Sequence, residues 1–197
     1  MLLAICKRFT WQRGEHVMHL YGPAELAASI RTVRENTIKI AEDIPEERYG
    51  YRPTPESRSV EALLLHIVVG SQAAHQLHER KRIRSFDQLD FSALLKRLPV
   101  HEDDRRTKAE IISQLKEEGD RFTDWLQRLP ESTLVETVRM PQGSVPETKN
   151  RFELLVGVKE HEMHHRAQLM VIERLLGIVP HITRRRQTTQ QPAAARA

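Results

Sequence analysis

The scarcity of cysteine and the lack of any long apolar run limit what this chain of 197 residues can be. The single cysteine, Cys6, cannot form an intramolecular disulfide, and without a cysteine pair the chain has no thiolate zinc site of the finger type. No stretch is apolar for long enough to span a bilayer, and the run MLLAICKRF at residues 1–9 is too short for a secretory signal. We therefore expect a soluble, cytoplasmic protein with no membrane partner.

A low-complexity linker is also missing, so the length predicts one domain with a substantial buried core. The charges do not indicate a nucleic-acid partner either. The chain has 31 Lys and Arg residues, but four arginines lie beyond residue 183 in a segment with no acidic residue, which leaves 27 basic against 27 acidic residues elsewhere. The basic excess is confined to a tail, whereas nucleic-acid binding needs a basic face on the fold.

Apolar residues recur at intervals of three and four in four segments, which predicts four amphipathic helices. The first starts at Pro23 and presents a stripe of Leu26, Ile30, Val33, Thr37, Ile40 and Ile44. The second runs from Ser59 to about Arg80, the third from Thr107 and Glu110 to Pro130, and the fourth from Asn150 and Glu153 to Leu176. Residues 45–59 predict a proline-rich crossing, 91–98 a short helix, and 134–149 an extended segment or loop. The predicted fold class is all-α, an up-down four-helix bundle.

The bundle is predicted to occupy residues 18–183. Organised pattern begins only at residue 21, so we expect residues 1–17 to be an N-terminal extension outside the fold, with Met18 as an alternative start. After Thr183 the chain has too little apolar content to fold, so residues 184–197 are predicted to be a disordered basic tail.

Three histidines occupy the inward stripes of two predicted helices. His66 shares the stripe of the second helix with Leu63, Gly70, Ala73 and Leu77. His161 and His165 share that of the fourth with Leu154, Val158, Gln168, Ile172 and Leu175. Three buried neutral imidazoles are hard to satisfy by hydrogen bonds alone, and bundle interiors commonly hold metal ions. The pattern predicts a divalent metal site made by His66, His161 and His165 with one coordination position open, while a hydrogen-bonded core histidine is the alternative for His66.

The segment 161-HEMHH-165 also matches the H-E-x-x-H pattern of zinc proteases. That interpretation lacks a third ligand, because Val171 occupies the place of the third histidine in the elongated motif and Glu173 lies in the same helix. Glu162, the general base of such an enzyme, is one step off the inward stripe and is predicted to be solvated. No predicted sheet could bind an extended peptide, so we interpret the match as coincidence.

Other polar residues of these two helices receive no ligand role. His75 and His78 are rotated away from His66 and are predicted to lie at the surface. His164 flanks the stripe and is either a supporting or a solvated residue. Arg166 and Gln168 lie near the site, but the sequence assigns them no catalytic role, so the catalytic residues stay unknown.

Two segments resemble the signature regions of the DinB/YfiT-like family of small bacterial four-helix metalloproteins. The first, 45-PEERYGYRPTPESRSVEALLLHIVVG-70, is a proline-rich crossing that leads into a helix with one histidine. The second, 161-HEMHHRAQLMVIERLLGIVP-180, has H-x-x-x-H followed by R-x-Q and a Leu-Leu-Gly-Ile end. The resemblance covers most of the chain, apart from residues 1–17 and those after 183. It too implies a metal-binding triad of His66, His161 and His165.

The resemblance also implies an activity. Characterised members of the family look like metal-dependent transferases or isomerases that use low-molecular-weight thiols such as bacillithiol, mycothiol or glutathione. It therefore implies a homodimeric thiol S-transferase with a small-molecule substrate and a thiol cosubstrate, in which the ion lowers the pKa of the bound thiol. A metal-dependent hydrolase and a non-catalytic stress-response protein that binds a metal or small ligand are the alternatives. Zn and Ni are the metals expected, although three imidazoles also suit Cu and Fe.

Overall fold

The computed structural model describes residues 21–87 and 89–190, and helices dominate this part of the chain. Four long helices form a bundle: α1 (Pro23–Asp43), α2 (Val60–His75), α4 (Lys108–Gln127) and α6 (Arg151–Leu175). Three short helices are α3 (Phe91–Leu95), α5 (Glu131–Leu134) and α7 (His181–Gln190). The predicted all-α four-helix bundle is confirmed. None of the helices in the described ranges is both long and apolar enough to cross a membrane. The predicted extension at residues 1–17, with Met18, lies outside the described residues.

The long helices begin at the capping residues that the sequence predicted. At the start of α4, Thr107 Oγ1 accepts from Glu110 N at 3.3 Å, and Glu110 Oε2 accepts from Thr107 N at 2.7 Å. Asn150 and Glu153 make the same reciprocal pair at the start of α6, with both distances 2.8 Å. Ser59 caps α2 through its side-chain oxygen. Each cap satisfies backbone N–H groups that have no partner within the helix, which defines where the helix starts.

The order of the helices around the bundle differs from their order in the chain. Helix α1 packs against α4 and α6, and α2 packs against the same two helices. Helices α1 and α2, which follow each other in sequence, therefore lie diagonally opposite. The crossing at residues 44–59 joins them and contains a 3-10 turn, Glu46–Arg48. Tyr49 ties this crossing to α1, because its hydroxyl donates to Ala41 O at 2.8 Å.

Helix α2 is buried on nearly all sides, because α4 and α6 cover different faces of it. It continues as a π-helical turn, Gln76–Arg80, so helical structure reaches Arg80 as predicted. His75 and His78, predicted to lie at the surface, are only 7% and 6% exposed. That prediction was wrong because it assumed a single inward face, whereas this helix is covered on several.

The inward face of α6 is rotated relative to the predicted stripe. Its buried residues are Arg151, Leu155, Glu162, His165, Leu169, Ile172 and Glu173. Gln168 is exposed and Leu175 is 57% exposed, so both were wrongly placed on the inward stripe. Three of the buried side chains are ionisable, namely Arg151, Glu162 and Glu173. A search for apolar residues at helical spacing does not include them, so it placed the inward face at the wrong angle.

A short strand pair precedes α6, in the segment predicted as extended or loop. Strands β1 (Thr137–Arg139) and β2 (Thr148–Asn150) pair antiparallel, with Val138 opposite Lys149. The adjoining Arg151 is fully buried, donates to Glu136 Oε2 and to Ile83 O at 3.0 and 2.9 Å, and contacts His78 Nδ1 at 3.0 Å. Burial and the neighbouring Arg151 lower the pKa of His78 to about 4, so this histidine is a neutral structural acceptor.

The segment after Pro180 differs from the predicted disordered tail, because residues 184–190 belong to α7. Arg184 Nη2 pairs with Asp43 Oδ2 of α1 at 2.6 Å, and His181 Nε2 donates to Asn36 Oδ1 at 2.9 Å. Polar contacts hold this helix against α1. The predicted disorder rested on low apolar content, which does not detect such polar contacts. Residues 191–197 lie outside the described part of the chain.

Candidate metal centre

Three histidines from two helices meet in the bundle at one point. His66 projects from α2, and His161 and His165 project from consecutive turns of α6. His161 Nε2 lies 2.9 Å from His66 Nε2 and 3.2 Å from His165 Nε2. One ligand atom from each ring lies within 4.8 Å of the others, a spacing that could hold a single ion. The structure thus brings together the three residues that the sequence selected, while their role as ligands stays a prediction.

The hydrogen bonds behind two of the rings decide which nitrogens face inward. His66 Nδ1 donates to Glu102 Oε1 at 2.5 Å, and His165 Nδ1 donates to Gln168 Oε1 at 2.9 Å. In each neutral ring the other nitrogen, Nε2, then carries a lone pair rather than a proton. Both lone pairs point at His161 Nε2, which holds at most one proton. In one of the two close N···N contacts two lone pairs therefore face each other without a proton between them. A cation bound by the three nitrogens would remove this repulsion.

The two rings of α6, His161 and His165, are in the protonation state that metal ligands need. Burial, together with the neighbouring His165 and His66, lowers the pKa of His161 to about 4. Burial likewise lowers the pKa of His165, with the neighbouring histidines acting in the same direction. Both rings are therefore neutral near pH 7 and offer lone pairs without prior loss of a proton.

The spacing suits a divalent ion such as zinc. Nitrogen ligands at 2.0–2.1 Å in tetrahedral geometry are about 3.3 Å apart, so the pairs at 2.9 and 3.2 Å have to separate slightly, while the ligand atoms of His66 and His165 lie within 4.8 Å of each other. Gly70, one turn after His66 on α2, makes room for the His161 ring. A Cβ at this position would lie 3.0 Å from Cε1 and 3.1 Å from Nδ1 of that ring.

Glu102, which the sequence analysis did not select, supports His66 from outside the triad. Its Oε1 accepts from His66, and its Oε2 accepts from Arg58 Nε at 2.8 Å. Burial alone would raise the pKa of Glu102, but the hydrogen bonds from Arg58 and His66 hold it below its ordinary value. A carboxylate behind a ligand histidine fixes the ring orientation and increases its basicity. No pattern in the sequence could have shown this residue, which lies in an irregular segment 36 positions after His66.

Glu162 is buried rather than solvated, so that prediction was wrong. Arg34 Nε and Nη2 donate to its two carboxylate oxygens at 2.8 and 2.9 Å, and both side chains are 5% exposed. The same guanidinium donates to Ser71 Oγ and to Leu115 O, each at 2.7 Å. Because both oxygens of Glu162 are occupied, it is not a free base, and the H-E-x-x-H match does not form a protease site here.

The remaining polar residues around the triad have different environments. His164 is exposed, and its Nε2 lies 3.2 Å from Gln168 Nε2, so it supports Gln168 from the solvent side. Gln168 thus takes part in the site through His165, although it does not lie on the buried stripe. Glu173 is fully buried further along α6, and neither of its oxygens has a hydrogen-bond partner among the described residues.

The DinB family model matches residues 15–194. The chain belongs to the DinB family. No curated protein matches this DinB chain. The predicted family membership is therefore confirmed, and the match extends beyond the predicted domain limits at both ends.

Solved structures show the same fold at low sequence identity. A DinB-like protein of Bacillus subtilis is 21% identical, with a TM-score of 0.57, over 78% of this chain and 92% of that one. A DinB-like protein of Bacillus cereus is 17% identical, with a TM-score of 0.57, over 79% and 93%. YfiT of Bacillus subtilis, described as a probable metal-dependent hydrolase with an unusual four-helix bundle topology, is 14% identical, with a TM-score of 0.59, over 79% and 88%. At these identities the comparison supports the fold alone.

Proposed function

We propose that this DinB protein is a metal-dependent enzyme in which His66, His161 and His165 hold a divalent ion, Zn or Ni. The observation that carries the proposal is the convergence of three Nε2 atoms from α2 and α6, with two rings oriented by Glu102 and Gln168. Three protein ligands leave a position for a substrate atom, as in catalytic rather than structural sites. When bound, the ion supplies a Lewis acid that lowers the pKa of a coordinated thiol or water.

The reaction that we favour is transfer of a low-molecular-weight thiol to an electrophile. Neither carboxylate beside the triad is free to act as a general base, because Glu102 is held by Arg58 and Glu162 by Arg34. A thiol needs no such base, since its deprotonation on a metal is favourable by itself. The chain then has to bind and orient the two reactants.

A cavity of about 390 Å³ next to the triad is large enough for a small-molecule substrate. Gln168 and Arg58 line it on the polar side, and Leu63, Val171 and Ile172 provide an apolar wall. Gln168 and Arg58 also connect to the triad, the first through His165 and the second through Glu102. Because Arg58 is paired with Glu102 and Glu56 also lines the cavity, the lining suits a small substrate with a polar group and an apolar body.

A metal-dependent hydrolase is the second candidate, because YfiT, which shares the fold, is described as a probable one. The same triad would serve both reactions, and the difference lies in the nucleophile. Turnover of a model electrophile that requires added glutathione or bacillithiol supports thiol transfer. Turnover of a model ester without any thiol supports hydrolysis.

The first test is metal content, by plasma mass spectrometry on untagged protein. Wild type should hold close to one ion per chain, and His66→Ala and His161→Ala should each lose it. The matched control is His181→Ala, which removes a histidine of α7 that contacts Asn36 rather than the triad and should keep the ion. If wild type stays free of metal after reconstitution with several divalent ions, the metal-dependent function is refuted. Cytoplasmic location and homodimer formation remain part of the proposal, and sedimentation equilibrium at the monomer mass would refute the dimer.

A further inference from the structure

A second cavity, of about 570 Å³, lies on the other side of α2 from the triad. Its wall includes His75, which follows His66 by nine residues, or about 180° around a helix of 3.6 residues per turn. The π-helical turn Gln76–Arg80, the region of α3 and part of α4 complete it. None of its lining residues belongs to the triad or to the smaller cavity beside the triad.

The wall of this cavity is polar at its inner end. Gln72, His75 and Glu118 are 5%, 7% and 4% exposed. Glu118 Oε1 accepts from Gln72 Nε2 at 3.2 Å and from Arg121 Nη1 at 3.0 Å, so this carboxylate is already compensated. Buried polar groups in a cavity wall favour an occupant that can form hydrogen bonds.

The rim carries positive charge that the protein does not neutralise. Arg80, Lys81 and Arg97 line the cavity and are exposed. Across residues 21–87 and 89–190, none of the three has an ion-pair or side-chain hydrogen-bond partner. The one rim carboxylate, Asp90, is engaged as the N-cap of α3, where it accepts from Ala93 N at 2.8 Å. Three unpaired cations around one opening attract an anion and offer charge-assisted hydrogen bonds to it.

The backbone at the rim is also unusual. The turn Gln76–Arg80 is π-helical, and π turns are rare and recur at functional sites. Lys81 is its C-cap, and the next residue, Arg82, has a positive φ of 44°. Such conformations cost free energy and persist where the surrounding structure requires them. Gln76 and Arg80 of the π turn line the cavity, and Arg82 follows the turn.

We propose that this cavity is a second binding site, which takes a small organic anion with two or more phosphate or carboxylate charges. The anionic groups bind Arg80, Lys81 and Arg97, and the polar body reaches the wall formed by Gln72 and Glu118. The site does not depend on the histidine triad, so it does not depend on the proposed enzymatic function.

The test is an NMR titration of the full ¹⁵N-labelled chain with inorganic phosphate, pyrophosphate and citrate at low ionic strength. We expect saturable shifts of the amides of residues 72–81 and 94–98, with pyrophosphate and citrate distinguishing phosphate from carboxylate recognition. In Lys81→Gln/Arg97→Gln the affinity should fall about tenfold or more, because two charge-assisted contacts are lost.

The matched control is Lys96→Gln/Arg128→Gln, which removes the same charges from exposed positions that do not line the cavity. It should bind as wild type does, and so should His66→Ala, since neither His66 nor its partner Glu102 lines this cavity. The proposal is overturned if none of the three anions gives saturable shifts, or if the control pair weakens binding as much as the rim pair.

Discussion

Glu173 is a buried carboxyl that has no hydrogen-bond partner within residues 21–87 and 89–190, and replacing it with glutamine should stabilise the protein in a pH-dependent way. Burial raises the pKa of Glu173 from its ordinary value of 4.5 to about 7, with the nearby Asp43 adding to the effect and Arg184 and Arg174 opposing it. Between these two pH values the folded protein keeps a proton that the unfolded chain releases. Folding then takes up a proton, so the free energy of unfolding falls as pH rises from about 4.5 to about 7.

The magnitude follows from the size of the shift. Each unit of pKa corresponds to about 1.4 kcal/mol, so the full shift corresponds to about 3 kcal/mol, and relaxation of the protein around the charge reduces this to about 1–3 kcal/mol. Glu173→Gln removes the charge with little change in shape. At about pH 8 the variant should be more stable than wild type by that amount, and at about pH 5 the two should be nearly equal.

Urea unfolding followed by circular dichroism, at several pH values between about 5 and 8, measures this difference. Glu160→Gln is the matched control, because it makes the same change at an exposed position of α6 and should leave the pH dependence unaltered. The other titrating groups contribute equally to wild type and variant, so the difference isolates Glu173. A stability difference that stays constant across this pH range would refute the reasoning.

Three further predictions concern the triad and its surroundings. Glu102→Gln should weaken zinc binding about 10- to 100-fold in a competitive chelator titration, while Asp103→Asn, the same charge change at the exposed neighbouring residue, should leave it unchanged. Gly70→Ala should lower zinc affinity in the same assay, because the added Cβ would contact the His161 ring. Thermal unfolding without metal should show a stability that is unchanged or raised by up to about 1 kcal/mol, since alanine favours the helix. Unaltered zinc affinity would contradict the steric argument. Arg34→Met should lower the free energy of unfolding, measured in urea, by about 3–5 kcal/mol, because it leaves the buried Glu162 carboxylate without its partner. Adding Glu162→Gln should restore part of that loss. No recovery in the double variant would show that the two residues do not act as a pair.

Periodicity and capping residues predicted the long helices, because both signals come from residues that are close together in the sequence. The same periodicity placed His66, His161 and His165 on inward faces, which the structure brings together. Two features could not be predicted this way. Glu102 reaches the site from an irregular segment, and Glu162 pairs in the core with a residue 128 positions away, so neither leaves a local signal. The four amphipathic segments also predicted the fold class, and the family resemblance agreed with it, whereas only the three-dimensional structure shows the second cavity.

The diagonal placement of α1 and α2 has a consequence for how this chain folds. Neighbouring helices are far apart in sequence: Arg34 reaches residues 81 and 128 positions away, and His66 meets His161 across 95 positions. A bundle of consecutive hairpins closes short loops, whereas this one has to close long ones, so its contact order is high for a helical protein and its folding should be correspondingly slow. An ion bound between α2 and α6 would then cross-link two segments that are far apart in sequence. Removing it would destabilise the fold partly because the unfolded chain would regain the entropy lost on closing this long loop.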